Sequence, residues 1–256
     1  MAIKLKRPQH IAVLREANRL VAETFVQLEE AIRPGVRLSR LDEIATAYIT
    51  SKGAKPLYKG YRGNPPTHPP FPGTICASVN EEICHGLPDK RRLHDGDVIG
   101  IDIGLRYEGW CGDACVTFAV GDVSPEAQKL MDVTKECLHL GIEAARPGAR
   151  LTDIGAAIEA HAESHGYSVV REWGGHGVGR SLHEQPSVPH VGPGGRGPRL
   201  RPGMVFTIEP MINAGGAEWR LLEDGWTVVT ADGALSAQFE HTIAITEDGP
   251  LILSEL

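Results

Sequence analysis

The sequence predicts an α+β protein built from two similar halves. Two helical patterns and then short apolar strands occupy residues 9–120, and the same order begins again at residue 124. The segment 31–53 is identical to the segment 144–166 at 9 of 23 positions, including a shared Ala-x-Arg-Pro-Gly-x-Arg-Leu string. Because convergence on a helical hairpin would supply only the Pro and Gly, we interpret the match as an internal duplication.

Local signals predict the elements of each half. Apolar residues at three- and four-residue spacing over 9–32 indicate an amphipathic helix. Ser39, Ser124 and Thr152 are candidate N-caps of the helices that follow. The predicted helices are 9–32, 39–53, 124–145 and 152–166, and the predicted strands lie around 76–80, 98–103 and 114–120. The Gly- and Pro-rich stretch 192–203 is expected to be a surface loop.

The composition, with 41% hydrophobic and 23% charged residues, is ordinary for a soluble enzyme, and we expect the protein in the cytoplasm. A net charge of −7 and a pI near 5.9 disfavour nucleic acid or an anionic membrane as a partner. No apolar run reaches 18 residues, and Arg15, Glu16 and Arg19 interrupt the stretch where a signal peptide would be apolar. Five cysteines without a CxxC pair are expected to be free thiols.

Two acidic residues lie in or beside apolar strands. Asp102 is set within the run 98–103, and Asp113 comes just before the run 114–120. An ionised carboxylate in an apolar layer costs several kcal/mol unless a positive group meets it. The one cation between these acids is Arg106, so a metal ion is one interpretation. Acids at strand ends are, however, more often solvated or capping, so the pair alone is weak evidence.

The duplication supplies a second pair of acids. The pattern Gly-x-Val-x-x-Ile before Asp102 occurs again before Glu209, and the run after Asp113 resembles the run after Glu240. Two similar halves packed together bring all four carboxylates to a shared midline. One divalent ion would leave excess negative charge there, whereas two nearly neutralise it. The sequence therefore predicts a two-metal centre with ions roughly 3.5–4 Å apart.

Histidines supply the nitrogen ligand and two further candidates. Glycines surround His176, so its backbone can approach a crowded centre, and a mixed His and carboxylate site favours Mn, Fe, Co or Zn. A phosphate-binding loop at 174–179 is disfavoured because no Lys-Ser/Thr follows. We expect His85 on an exposed turn, and we expect both His85 and His183 to have roles outside the metals. His241 should point away from the metals. The other histidines are interpreted as surface or helix residues: His10, His68, His94, His139, His161, His165 and His190.

Four long strings resemble the type I methionine aminopeptidases, within the methionine aminopeptidase, aminopeptidase P and creatinase superfamily. They are NEEICHGLP (80–88), GHGVGRSLHEQP (175–186), FTIEPMIN (206–213) and DGWTVVT…SAQFEHTIAIT (224–246). The resemblance implies the pita-bread fold, in which two pseudo-twofold-related halves form an antiparallel sheet with covering helices. It implies one catalytic domain over 1–256, with halves of about 9–122 and 124–250. Glu209 follows His176 by only 33 positions, which leaves no room for the type II insert, and we expect no extra N-terminal domain.

The resemblance also implies the activity. A water activated by two divalent ions (Co, Mn, Fe or Zn) removes the N-terminal methionine of nascent polypeptides, preferentially when the second residue is small. Glu209 would transfer the proton, while His85 and His183 would hydrogen-bond the substrate. Asp102 would bind one ion, and His176 and Glu209 would bind the other. Asp113 and Glu240 would bridge the two ions. The implied metal ligands are Asp102, Asp113, His176, Glu209 and Glu240.

The methionine pocket is also assigned by resemblance, to Tyr61, Phe71, Cys76, Leu182 and Trp226. Two departures affect its rim: many relatives carry an aromatic residue where Leu182 stands, and 64–70 resembles a Pro-rich insertion. The alternative is that these residues merely pack the core.

Two other functions remain open at this stage. A hydrolase of the same fold could cut dipeptides or X-Pro bonds, and a pita-bread module could bind peptides without catalysis. The resemblance further implies nascent chains as partners, work near the ribosome, and a monomer.

Overall fold

The structure is a computed structural model that describes residues 2–63 and 66–256. Its helices are α1 (Pro8–Glu29), α2 (Leu38–Ser51), α3 (Pro125–Ala144) and α4 (Leu151–Ser164). Its strands are β1 (Lys55–Pro56), β2 (Cys76–Val79), β3 (Glu82–Cys84), β4 (Val98–Tyr107), β5 (Trp110–Ala119), β6 (Ser168–Val169), β7 (Gly175–Gly177), β8 (Glu184–Val188), β9 (Val205–Ile208), β10 (Met211–Asn213), β11 (Trp219–Leu221), β12 (Val228–Thr230), β13 (Ser236–Gln238), β14 (Glu240–Thr246) and β15 (Gly249–Ile252). The four predicted helices are thus confirmed, with boundaries that shift by a few residues.

A nine-stranded sheet forms the centre of the protein. Its strand order is β1-β4-β5-β14-β9-β7-β8, with β2 on β4 and β15 on β14, and every pairing is antiparallel. Two three-stranded sheets, β13-β10-β6 and β11-β12-β3, lie beside it. The predicted α+β class with an antiparallel sheet and covering helices is confirmed.

Each helix pair covers its own part of the large sheet. Apolar residues of α1 and α2 pack with β4 residues such as Ile101, and those of α3 and α4 pack with β9 and β14 residues such as Phe206. The helices have 22 and 14 residues in the first pair and 20 and 14 in the second. The two pairs thus have similar lengths, and the parts of the sheet that they cover meet where β5 pairs with β14. The boundaries of the predicted halves stay a prediction.

Two predicted N-caps are wrong. Ser39 lies inside α2, because the first amides of that helix donate to the carbonyl oxygens of Asp89 and Arg91. Thr152 lies inside α4, whose first amide donates to the carbonyl oxygen of Pro198. In both places carbonyl oxygens of a distant segment satisfy the first amide of the helix. At α4 the Asp153 carboxylate also accepts from the amide of Arg150 at 2.8 Å, so the capping side chain is Asp153 and not Thr152.

The third helix begins as predicted. The Ser124 hydroxyl accepts a hydrogen bond from the amide of Ala127 at 3.1 Å, and Pro125 occupies the first helical position. All five cysteines are buried and free, as expected. Within 2–63 and 66–256, no helix combines the length and apolar character needed to cross a membrane.

The two expected loops have different outcomes. Residues 192–203 contain no helix or strand and are largely exposed, which confirms the surface loop. The insertion expected at 64–70 begins with residues 64 and 65, which lie outside the described residues. Of residues 66–70, His68 lines the cavity described next, and the carbonyl oxygen of Pro69 accepts from the indole N–H of Trp226 at 2.9 Å.

Candidate active site

The β4–β5 hairpin presents two acids on one face. Asp102 pairs with Cys115 and Gly104 pairs with Asp113, and residues that face each other across an antiparallel pair project to the same side. Gly104 has a steric role here, since a Cβ on it would lie 2.5 Å from the ring of Tyr58. Because Gly104 has no side chain, the Tyr58 ring fits against the strand there, beside the two carboxylates.

The second pair of acids joins the same face across the midline. Glu240 pairs with Cys115 from the other side, so Asp102, Cys115 and Glu240 form a row across three strands. Glu209 follows the last residue of β9 directly and lies two positions beyond Thr207, so by strand alternation it projects to this face too.

His176 completes the group from β7. Its Nε2 lies 3.5 Å from Asp113 Oδ2 and 3.6 Å from Glu209 Oε1. Its Nδ1 lies 3.2 Å from the carbonyl oxygen of Gly177 and must donate, because a carbonyl only accepts. Nε2 is therefore left with a free lone pair among the carboxylates, the orientation of a metal-ligating imidazole.

The glycines beside His176 allow the strand to approach its neighbours. A Cβ on Gly175 would lie 2.2 Å from the carbonyl oxygen of Thr207, and one on Gly177 would lie 2.2 Å from that of Gln185. Both obstacles are backbone, which cannot move aside as a side chain can. Only glycine permits β7 to fit between β8 and β9 here.

Burial makes the charged forms of all four acids unfavourable. It raises the pKa of Asp102 to about 7 and that of Glu209 to about 8. Burial, followed by repulsion from the neighbouring carboxylates, raises the pKa values of Asp113 and Glu240 well above their ordinary range. Burial likewise lowers the pKa of His176 to about 3, so its imidazole is neutral.

The group has the composition of a cation site. Oε1 of Glu240 is buried and has no hydrogen-bond partner in the described structure. Ligand atoms of Asp113, His176 and Glu240 lie within 4.8 Å of one another. Of the described residues that line the surrounding cavity, none is Lys or Arg. Buried carboxylates, an orphaned oxygen and a free imidazole lone pair therefore fit divalent metal ions.

Supporting residues around the acids carry no signal in the sequence. The Tyr58 hydroxyl lies 2.5 Å from Asp102 Oδ1 and 2.8 Å from Asp113 Oδ1. His190 was expected at the surface or on a helix, but it is buried, and its Nε2 accepts a hydrogen bond from the amide of Glu209 at 3.2 Å. Both residues come from loops, and only the folded chain brings them to the acids.

An apolar cavity of about 540 Å³ opens above the acids. The five residues predicted for the methionine pocket all line it: Tyr61, Phe71, Cys76, Leu182 and Trp226. Phe71 meets Trp226 edge-on with ring centroids 5.3 Å apart. Sequence reasoning missed further lining residues, including Trp173, Met211 and Trp219.

Two histidines in the cavity differ from their predicted positions. His85 was expected on an exposed turn, but it is half-buried, with its ring edge-on to Trp173 at 5.2 Å, and burial lowers its pKa to about 4. His68 was expected at the surface, but its ring lies 4.8 Å from that of Trp226 and lines the cavity. Aromatic residues from distant segments cover both, which local sequence does not reveal.

His183 lies beside His176, and the remaining histidines lie as expected. The His183 ring lies 4.2 Å from that of His176, with the Tyr61 hydroxyl 3.4 Å from its Nδ1, and burial lowers the pKa of His183. His241 faces away from the acids, and its Nδ1 lies 2.8 Å from the Ser254 hydroxyl. His10, His94, His139, His161 and His165 do not line the cavity.

Comparisons with known proteins agree with this geometry. The model of metallopeptidase family M24 matches residues 12–247. The chain is 50% identical to methionine aminopeptidase 1 of Bacillus subtilis over 98% of both chains. It is 49% identical to methionine aminopeptidase A of Synechocystis over 98% of this chain and 97% of that one.

Solved structures show the same fold. The methionine aminopeptidase of Rickettsia prowazekii superposes with a TM-score of 0.95 at 43% identity, covering 99% of this chain and 100% of that one. The prolidase of Pyrococcus horikoshii gives a TM-score of 0.78 at 21% identity, covering 98% of this chain and 63% of that one. At that identity the prolidase supports the fold alone, and the predicted pita-bread architecture is confirmed.

Proposed function

The chain belongs to metallopeptidase family M24, and from this premise we propose that it is a methionine aminopeptidase. It removes the initiator methionine from nascent polypeptides, preferentially when the second residue is small. The observation that carries the proposal is the convergence of four carboxylates, three of them buried, and one neutral imidazole at the floor of an apolar cavity. Two relatives about half identical over nearly the whole chain bear the corresponding name.

Five side chains would hold two divalent ions: Asp102, Asp113, His176, Glu209 and Glu240. Two ions nearly neutralise four carboxylates, and the imidazole nitrogen favours Co, Mn, Fe or Zn over Ca or Mg. The chemistry that such a pair supplies when bound is a water nucleophile of lowered pKa and a polarised carbonyl.

The protein side chains orient the reacting groups and move the proton. Thr207 donates to Oε1 of Glu209 at 2.7 Å, and the Gln238 amide lies 3.4 Å from Oε2, so the carboxylate is held in one orientation. We assign Glu209 to accept a proton from the water and to pass it to the leaving amine. His85 and His183 are neutral, and each can donate one N–H to a substrate oxygen.

The cavity wall supplies selectivity for methionine. The aromatic rings of Phe71 and Trp226, together with Cys76 and Leu182, form an apolar surface closed at one end by the acids. A thioether is apolar and makes favourable contacts with aromatic ring edges, so an unbranched methionine side chain suits this wall. The substrate's free amine would then lie at the carboxylate end.

The activity test uses matched peptides. With Mn²⁺ or Co²⁺, the purified chain should release methionine from Met-Ala and Met-Gly peptides, and release less when a bulky residue stands second. Glu209→Gln should lower kcat by about 10²-fold or more, because the proton carrier is lost. Glu143→Gln on the exposed face of α3 is the matched control and should retain full activity. Activity confined to X-Pro peptides would identify a different hydrolase of the same fold.

A separate measurement tests the alternative that the protein binds peptides without catalysis. Metal analysis of the folded chain should find divalent ions in the wild type and a deficit in Asp113→Asn. A folded chain that takes up no divalent ion would identify a binding module instead.

The setting of the reaction follows from its substrate. Nascent polypeptides emerge from the ribosome, so we propose that the protein acts in the cytoplasm near the ribosome. We also propose that it is a monomer. Sedimentation at micromolar concentration should show a single species of 27.6 kDa, and ribosome pelleting should carry the chain with it.

A further inference from the structure

A second group of metal-ligating side chains lies on the outer helices. Glu136 on α3, His161 on α4 and His165 at the C-terminal end of α4 place one ligand atom each within 4.8 Å of one another. None of the three lines the catalytic cavity. We propose that this helix-pair site binds a zinc ion that bridges α4 to α3, independently of the catalytic metals.

The helix sets the spacing of the two imidazoles. His161 and His165 are four residues apart, so their side chains leave the same face of α4, one turn apart. Their ring centroids lie 4.5 Å apart. Glu136 reaches this face from the neighbouring helix, with Oε2 2.8 Å from His161 Nε2. The site is therefore made by the packing of two helices and not by one segment.

The hydrogen bonds of His165 leave one ring nitrogen free for a metal. Its Nδ1 lies 3.0 Å from the carbonyl oxygen of His161 and must donate to it, because a carbonyl only accepts. Nε2 then has no proton and offers a lone pair. Metal-ligating histidines commonly have this arrangement, in which the second nitrogen is held by a backbone carbonyl.

The dimensions suit a tetrahedral zinc ion with three protein ligands and a water. Zinc bonds of about 2.0–2.2 Å to nitrogen and oxygen place neighbouring ligand atoms roughly 3.3 Å apart. His161 Nε2 donates its proton to Glu136 across the present 2.8 Å. Zinc binding therefore displaces that proton, to Nδ1 or to solvent, and widens the distance by about half an ångström. The Glu136 side chain is 57% exposed and can rotate to allow this. A pure ion pair would explain the Glu136 contact, but it would not require His165 at the same place.

The position of the proposed zinc site on α4 also favours the binding of a cation. The site lies at the last turn of α4, where unpaired carbonyl groups carry partial negative charge, so a cation is favoured there. The donor set of two imidazoles and a carboxylate selects Zn²⁺ and its transition-metal neighbours over Mg²⁺ or Ca²⁺. Because a bound ion joins both helices only in the folded chain, it stabilises that state by mass action.

The test compares zinc stoichiometry in full-length variants. Chelator-stripped wild type and a His161→Gln, His165→Gln double variant are dialysed against the same excess of Zn²⁺. The double variant should retain one zinc fewer per chain and lose part of the zinc-dependent rise in Tm. His94→Gln removes an exposed histidine elsewhere and should behave as the wild type does.

Crystals soaked in Zn²⁺ locate the ion. Anomalous scattering at the zinc edge should show a peak bonded to His161, His165 and Glu136. Equal stoichiometry in wild type and double variant, or zinc peaks at the catalytic acids alone, would overturn the proposal. Methionine release plays no part in these readouts, so their failure leaves the proposed function untouched.

Discussion

Replacing Tyr58 by phenylalanine tests how the metal ligands are held. The hydroxyl of this buried residue lies between Asp102 and Asp113, and its ring occupies the space that Gly104 leaves open. Tyr58→Phe keeps the ring and removes only the hydroxyl. The change therefore probes orientation of the carboxylates and leaves the packing intact.

The structure sets the size of the effect. The Tyr58 hydroxyl has one proton, so it donates fully to one carboxylate at a time. A hydrogen bond to a charged group contributes about 1.5–3 kcal/mol. Loss of a residue that orients metal ligands commonly weakens metal binding by about 10- to 100-fold, or roughly 1.4–2.8 kcal/mol. The hydrogen-bond energy and the effect of losing an orienting residue are of the same size. We therefore expect metal affinity to fall by about 10- to 100-fold.

The assay is a metal titration of the stripped chain, followed both by methionine release and by calorimetry. Tyr58→Phe should shift both curves to higher metal concentration, with kcat at saturating metal changed far less. Tyr61→Phe is the matched control, since its hydroxyl contacts His183 and not the acids. An unchanged or tighter metal affinity in Tyr58→Phe would show that the hydroxyl does not orient the ligands.

Three further perturbations have defined outcomes. Lys6→Met removes the ion-pair partner of the half-buried Glu184, at 2.6 Å, while the amides of Arg180 and Ser181 still donate to its Oε1. The free energy of unfolding should therefore fall by about 1–3 kcal/mol in urea titrations. Gly104→Ala drives a methyl group into the Tyr58 ring and should cost about 1–3 kcal/mol, with weaker metal binding in the same titration. In metal-free protein, burial raises the pKa of Glu209 from 4.5 to about 8, so the folded chain keeps a proton that the unfolded chain releases. Stability is thus greatest below pH 4.5 for this group and is lost as the pH rises to about 8, which Tm measurements across that window should show.

Each of these has its own control. Lys90→Met changes an exposed lysine elsewhere and should leave stability unchanged, and an equal loss there would refute the ion-pair argument. Gly100 lies on the same strand as Gly104. Gly100→Ala places a Cβ no closer than 3.6 Å to the surrounding atoms, so it should be tolerated. Saturation with divalent metal should remove the pH dependence. A metal-free Tm that is flat or rises towards pH 8 would contradict the linkage.

Much of the fold could be predicted because its signals are local. The helices follow from apolar periodicity and, for α3, from the Ser124 cap, both of which depend on neighbours within a few residues. The acids stood out because a carboxylate such as Asp102 inside an apolar strand is unfavourable without a counter-charge, and the duplication pointed to Glu209 and Glu240. Family resemblance then supplied the roles of these residues, which spacing alone could not.

Tertiary structure alone decided the surroundings of the acids. The Tyr58 hydroxyl, the buried His190 and the covered His85 are brought in by segments far apart in the chain, and nothing in their neighbouring residues indicates burial. The predicted N-caps at Ser39 and Thr152 were wrong for the same reason, since remote carbonyl oxygens accept from the first amides of those helices. The sequence by itself thus determined the elements and the acids, which depend on local pattern and charge. The fold decided which distant groups orient them, because hydrogen bonding and burial depend on contacts that sequence proximity does not encode.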